Sequence, residues 1–402
     1  MDNSTKTTRQ WSVIGLALLL GVFSTLGPFT IDMYLPAFPE IAKDFDTSAS
    51  LIQVSLTACL LGLGIGQLVV GPLSDAYGRR KPLLIAMIGY VVFSVACAYA
   101  PNIGMLIVFR FAQGFAASAG IVISRAIARD MYSGHELTKF FSLLLLVGNL
   151  GPLVAPIAGS GVLKFTTWPG VFISLAILGV FLYLMTQFRL KESNPPEQRV
   201  SPNFKLQLQN YGKLLRDRKF VGYMLAQGIM TAGVFAYVSG TPFIYQNIYG
   251  VSPTVFALLF ASNGVSLIIG SQIVGRISHR VPEQKLLLIG LWIALISSII
   301  VVGVAIVEGP LFALVAPLFV FVCSIGITST ASFPLAMESQ AKNAGSAAAL
   351  LGLIPFVLGA LVAPIVGVAG EDTAVPLGIT LMATSLVALA TYFLLVKKSE
   401  KS

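Results

Sequence analysis

Charge is scarce in this chain. Only 11% of its 402 residues are Asp, Glu, Lys or Arg, while 56% are hydrophobic. Soluble domains carry about 25% charged residues, so a water-soluble globular fold is excluded and the chain reads as a membrane protein throughout. Cysteine is scarce too. Cys59, Cys97 and Cys323 all lie inside apolar runs, which marks them as small core residues and excludes a disulfide frame or a thiolate metal site. There are two histidines, His135 and His279, both in polar segments. Neither makes a metal set or a nucleophile–base set, so no metal is expected and an enzyme within the membrane is disfavoured. No G-x-x-x-x-G-K-[ST] phosphate loop occurs, so ATP is not the energy source within this chain. Gly62-Leu-Gly-Ile-Gly66 has the glycines of a nucleotide loop but sits in an apolar run with no strand before it, where helix packing is its use. No small-residue cleavage site follows the first apolar run, which therefore reads as an uncleaved first helix.

What the chain has is long apolar runs. They predict twelve transmembrane helices near 12–35, 51–73, 82–100, 104–127, 139–162, 168–188, 220–243, 254–276, 285–307, 310–334, 343–368 and 374–396. Of the 26 Lys and Arg residues, Lys43 and Lys164 are placed outside and Arg110 within a span; the rest fall at cytoplasmic loops, helix ends or termini. That distribution puts both termini in the cytoplasm and explains the net charge of +9 as topology plus contact with anionic lipid, with no nucleic acid required. One long polar segment, 189–219, separates six spans from six. It opens as a Pro/Ser/Glu linker over 192–202. Phe204, Leu206, Leu208, Tyr211, Leu214 and Leu215 then give it an apolar face suited to a short helix on the membrane surface.

The two halves echo each other. Leu153-Val-Ala-Pro-Ile-Ala-Gly159 recurs as Leu361-Val-Ala-Pro-Ile-Val-Gly367 at an offset of 208 residues. The predicted domains are accordingly 1–190, a linker 191–219 and 220–402: an all-α protein of two six-helix bundles with the pathway between them.

The stretch Gly71-Pro-Leu-Ser-Asp75-Ala-Tyr-Gly78-Arg79-Arg80-Lys81-Pro82 organises the first half. Glycines and charges between two bilayer-length runs need water or protein partners, so a hairpin at the membrane edge is predicted. Gly78 offers the positive φ of a tight turn, and Pro82 suits the start of the next helix. The loop recurs in degraded form at Gly275-Arg-Ile-Ser-His279, where His279 replaces the acid.

This stretch resembles the signature loop of the major facilitator superfamily, with every defining position filled. Arg110 followed by Gln113-Gly114 resembles that superfamily's fourth-helix motif, whose Arg is implicated in proton transfer. Gly148, Gly151 and Pro152 resemble the fifth-helix motif of its antiporters. Ala155-Pro156, ahead of Gly159, stands where a Gly-Gly is usual. That departure, together with Asp32-Met-Tyr-Leu-Pro36, resembles the bicyclomycin/chloramphenicol-resistance (Bcr/CflA) type of drug exporter. The resemblance implies twelve helices in the major facilitator fold and export of small amphiphilic drugs. It also implies a bacterial cytoplasmic (inner) membrane, a monomer, and a proton gradient in place of any cofactor.

Ionisable residues deep in a span are functional candidates by default, and Asp32 and Arg110 are the clear ones. If the first span runs on to about residue 41, Asp32 lies roughly 13 Å below its outer end and Arg110 roughly 10 Å below its own. Matching depths predict a pair, direct or through water, whose opposing influences can poise the carboxyl to gain and lose a proton. A static ion pair that locks the helices, or an Asp32 sitting in interfacial water, are the alternatives. Asp75 is expected to latch the halves by meeting the positive end of the eleventh helix near 343–346 when the protein faces outward. For the substrate pocket the candidates are Gln113 and Asn149, with Phe29, Phe235 and Tyr237; Gln53, Asn263, Gln272 and Phe243 are further mid-membrane groups. A proton-coupled or facilitative importer of a sugar or other nutrient is the nearest rival function, and a non-transporting sensor or scaffold the rival from another class.

Overall fold

The computed structural model describes residues 13–199, 204–338, 340, 344–368 and 373–397. Among these residues there are fourteen α-helices and no strands. The first half contains α1 (Val13–Asp32), α2 (Phe38–Asp44), α3 (Ala49–Tyr77), α4 (Arg80–Ala98), α5 (Ile103–Met131), α6 (Gly134–Leu163) and α7 (Trp168–Arg189). A short α8 (Phe204–Leu214) lies on the connecting segment. The second half contains α9 (Arg218–Phe243), α10 (Pro253–Ile277), α11 (Glu283–Ile306), α12 (Leu311–Met337), α13 (Ala344–Val362) and α14 (Val375–Thr391). Twelve of these stretches are long and apolar enough to cross a membrane.

The helix starts follow from local chemistry. Ser48 accepts the Leu51 N–H, Asn102 the Met105 N–H at 2.9 Å, and Asp217 the N–H groups of Lys219 and Phe220 at 3.0 and 3.1 Å. Each satisfies donors left orphaned in a first helical turn. Within each half the closest helix crossings run through glycine. A Cβ on Gly114 of α5 would strike the backbone of Cys59 in α3, and one on Gly326 of α12 would strike the backbone of Leu267 in α10. Between helices in lipid, small residues replace the hydrophobic effect as the means of close approach. The pairs α3·α5 and α10·α12 occupy matching places in the two halves.

Three features depart from the expectations. The span through Asp32 continues past α1 by a 3₁₀ turn (Leu35–Ala37) and α2, reaching Asp44. Asp32 is therefore about twelve residues, roughly 18 Å of helical rise, from that end and deeper than expected. The signature stretch is not a hairpin: α3 runs on through Gly71 and Asp75 to Tyr77, and only Gly78 (φ 87°) and Arg79 separate it from α4. Finally, the Ala-Pro repeat behaves differently in its two copies. It stays α-helical in α6 but becomes a 3₁₀ turn, Ala363–Gly367, after α13. The Ser239 hydroxyl takes the Ala363 carbonyl at 3.0 Å, and Gly367 presses on the Ser50 backbone, contacts that reward the tighter winding.

The halves meet along α3 with α13 and along α6 with α10. At the end away from the signature turn they are bonded to each other. The Gln53 amide donates to the Ser239 carbonyl (3.2 Å), Thr57 to the Ala360 carbonyl (3.1 Å), and Gln246 to the Pro36 carbonyl (3.2 Å). Phe38 and Phe243 rings lie 5.8 Å apart. At the signature end the Asp75 side chain is 51% exposed, and a Cβ on Gly275 or Gly345 would meet nothing within 4 Å. Among the described residues the halves are bonded together at the far end, while these groups at the signature end stand clear of the other half.

Candidate translocation site

Arg110 is fully buried in α5. Its Nη1 donates to Gln113 Oε1 at 2.6 Å and its Nη2 to the Thr30 carbonyl at 2.8 Å, while Nε has no partner among the described residues. The guanidinium lies 4.0 Å from the Tyr34 ring centroid and 5.6 Å from that of Phe172. Two carbonyl oxygens and two aromatic faces thus hold the cation, without a carboxylate. The surrounding groups are also linked: Gln113 donates to Ser94 Oγ (2.8 Å), Thr30 bonds the Tyr90 hydroxyl (2.9 Å), and Tyr34 bonds Ser55 Oγ (3.3 Å). The cluster lies wholly within the first half and joins α1, α3, α4 and α5.

The direct form of the expected pair between Asp32 and Arg110 is not made in this structure. Thr30 and Asp32 are two residues apart, about 200° around a helix, so an α1 that turns Thr30 to Arg110 turns Asp32 the other way. Asp32 is 5% exposed, and its carboxyl makes no hydrogen bond or ion pair with the described residues. It lies within electrostatic reach of Cys59 in α3 and, across the seam, of Tyr237 in α9. The acid is thus within electrostatic reach of the other half, whereas the bonds and ring contacts of the guanidinium all lie in its own.

Gln113 likewise does not line the seam. Both ends of its amide are used inside the first half, which removes it from the substrate-pocket candidates. The Asn149 side chain lies outside the described residues. Tyr237 accepts a bond from Asn263 Nδ2 (2.7 Å) and stacks on Phe260 (5.5 Å between centroids). Phe235 packs on Phe356 (5.7 Å) and against Gly359 of α13. Phe29 is half-buried at the edge of the core. On α6, Gly151 seats against Thr25 and Pro28 of α1, Gly159 against the Met33 backbone, and Gly148 approaches Ser24. Ala155 between them is fully buried, and Pro152 and Pro156 lie inside the helix. The α6 motif is thus the bed on which the Asp32-bearing helix rests.

At the signature turn, Arg79 bonds Asp75 Oδ1 (2.5 Å), Ser74 Oγ (2.8 Å) and both oxygens of Asp130 at the end of α5 (2.8 and 3.2 Å). Burial lowers the Arg79 pKa, but its hydrogen bonds to the Asp130 and Asp75 carboxylates and their negative charge outweigh it and hold the group above its ordinary range. Glu192, expected in a loose linker, instead accepts the N–H groups of Arg79 (2.7 Å) and Arg80 (3.1 Å), capping α4. Asn194 donates to the Asp75 carbonyl and Ser193 to Asp130. Arg80 reaches the Thr186 and Gln187 carbonyls at the end of α7. Gly78 is favoured as glycine by its positive φ of 87°, and a Cβ there would also push the Glu192 carboxylate from its place. Gly71 has only Val122 nearby. Asp75 is engaged within its own half, and residues 341–343, just before α13, lie outside the described ones. Asp130, Glu192 and Asn194 are the residues that reasoning on the sequence missed; only an acid closing a span (Asp130) carried a local signal.

The family model of the Major Facilitator Superfamily matches residues 18–364. The chain belongs to the major facilitator superfamily. Members are transporters, and this facilitator-superfamily protein is a multi-pass transporter and not an enzyme. It is 50% identical over 387 residues, 96% of each chain, to the uncharacterized MFS-type transporter YdgK of Bacillus subtilis. It is 32% identical over 394 residues (98% of this chain, 99% of the relative) to a bicyclomycin resistance protein homolog of Haemophilus influenzae, which bears out the Bcr/CflA-type resemblance. Among solved structures, a bacterial homolog of the human lysosomal transporter Spinster, inward-facing and unoccupied, superposes with a TM-score of 0.76 over 99% of both chains at 16% identity. That likeness supports the facilitator fold.

Proposed function

We propose that this transporter exports small amphiphilic drugs in exchange for protons, by alternating access of a site between its halves. The observation that carries the reading is Asp32: a buried carboxyl, free of any ion partner among the described residues and within electrostatic reach of Tyr237 in the other half. An acid so placed can take a proton when one side is open and release it when the other is. The relative named for bicyclomycin resistance supports drugs as the substrate class. The cation distribution favours a cytoplasmic signature end, and with the far end bonded shut the conformation is read as inward-facing. In that state Asp75 is released from the other half, and it engages the start of α13 when the signature end closes. The proton gradient supplies the energy, with no cofactor, and one chain suffices.

Expression in an efflux-deficient host, tested against a drug panel, should raise tolerance to at least one amphiphilic compound. Lowered tolerance together with nutrient uptake would instead make the protein an importer.

Two variants test the moving parts. Gln53→Leu removes the bond to the Ser239 carbonyl, with a net worth of about 0.5–1.5 kcal/mol, so the population opened at the far end should rise about 2- to 10-fold. Distances between spin labels at positions 164 and 308 read this directly, and an unchanged distribution would show that the far-end closure does not depend on Gln53. Asp75→Asn should fold, because Arg79 keeps Asp130, yet turn over more slowly with little loss of substrate binding. A binding loss equal to the rate loss would refute the latch.

A further inference from the structure

A crevice of about 740 Å³ opens on the flank of the first half, its walls supplied by α3, α4 and α5. Its α3 residues, Val70, Leu73 and Tyr77, lie roughly 130° around that helix from the seam residues Gln53, Thr57, Gly64 and Gln67, at 100° per residue. It is therefore distinct from the translocation pathway and faces the lipid. The lining is almost wholly apolar, with Ile85, Phe93 and Phe111 among its walls. The exception is the mouth at the signature end, where Tyr77 and Lys81 stand. Lys81 is exposed and has no acid partner among the described residues, unlike its neighbour Arg79.

We propose that this crevice binds an anionic phospholipid of the leaflet on the signature side, its phosphate against Lys81 and one acyl chain lying between α3, α4 and α5. The dimensions favour a lipid over a compact solute. From Lys81 to Phe93 is about twelve residues, roughly 18 Å of helix. One leaflet of a hydrocarbon core about 30 Å thick is roughly 15 Å deep. The crevice thus begins at the headgroup level with a cation and ends near the bilayer centre with aromatic rings. The charge favours an anionic headgroup over a zwitterionic one, since an ethanolamine brings its own cation to a site that already has one. One lysine at an anionic membrane surface corresponds to a preference of about fivefold. Lys81 follows directly on Arg79 and Arg80, so the bound phosphate would lie beside the turn whose other contacts all come from the protein.

The test uses the full chain reconstituted in nanodiscs of equal phosphatidylglycerol and phosphatidylethanolamine, then released into mild detergent, with retained lipids counted by native mass spectrometry. The wild type should keep phosphatidylglycerol over phosphatidylethanolamine by about fivefold. Lys81→Gln should bring that ratio near one without lowering the total. Gly89→Phe should lower retention of both lipids, because a Cβ at Gly89 meets only Ala116, at 3.8 Å, and a larger side chain enters the crevice. Should Gly89→Phe fail to fold, Lys81→Gln decides alone, since its side chain is exposed. Equal retention of both lipids by the wild type, or an unchanged ratio in Lys81→Gln, overturns the proposal. Displacement of the lipid by an exported drug also overturns it, making the crevice a substrate site.

Discussion

Asp32→Asn should insert and fold normally, yet pH-driven exchange in proteoliposomes should fall to the leak of empty vesicles. The substitution is nearly isosteric and breaks no bond, because the carboxyl has none to the described residues. What it removes is the ability to be charged in one state and neutral in another. A permanently neutral side chain at the seam lets the halves rock but transmits nothing from the proton gradient. Substrate counterflow, which needs no net driving force, should therefore persist while uphill export is lost. Exchange that keeps its full response to a pH gradient would rule out Asp32 as the carrier, and the antiport scheme with it. The fold and the superfamily membership would be untouched.

Arg110→Lys should behave differently, lowering the thermal unfolding midpoint as well as transport. The guanidinium bridges Gln113 and the Thr30 carbonyl while lying over Tyr34, a planar fork that a lysine ammonium cannot reproduce. Losing one charge-assisted bond costs about 1.5–3 kcal/mol, and the orphaned acceptors remain buried. Because the lost bond ties α5 to α1 two residues before the acid, transport should fall about tenfold or more. Thermal unfolding in detergent, set beside flux, separates the roles. Lost transport at an unchanged midpoint would make Arg110 a direct handler of the proton and not the group that positions α1.

The sequence made the frame legible because burying charge in lipid is so costly that every exception stands out. Twelve apolar runs, the duplicated Ala-Pro motif, the turn at Gly78, and Asp32 and Arg110 as rare intramembrane charges could all be read from residue type and spacing. Rotation about a helix axis was harder. Equal depth suggested that Asp32 and Arg110 meet, whereas the packing of α1 on α6 through Gly151 and Gly159 fixes a rotation that separates them. The motif of Gln113 points to the pathway, but its bonds to Arg110 and Ser94 keep its amide within the first half. Contacts made across long stretches of chain left no local trace. Glu192 caps a helix that begins more than a hundred residues earlier, and its surroundings read as a linker. The 3₁₀ winding after α13 was hidden for the same reason: a motif that differs only in Ala158 for Val366 stays α-helical in α6.

The far-end closure has one property that bears on energetics. It is made of amide and hydroxyl donors on carbonyls, a pair of phenyl rings and a glycine, with no ion pair among the described residues. Opening it carries no fixed charge through the transmembrane field, where each elementary charge would couple at about 2.3 kcal/mol per 100 mV. The contacts of the gate thus add no charge movement of their own, and voltage is left to act through charges elsewhere: the buried Asp32 and Arg110 and whatever charge the cargo brings. The gate itself should swing as freely in a de-energised membrane as in an energised one.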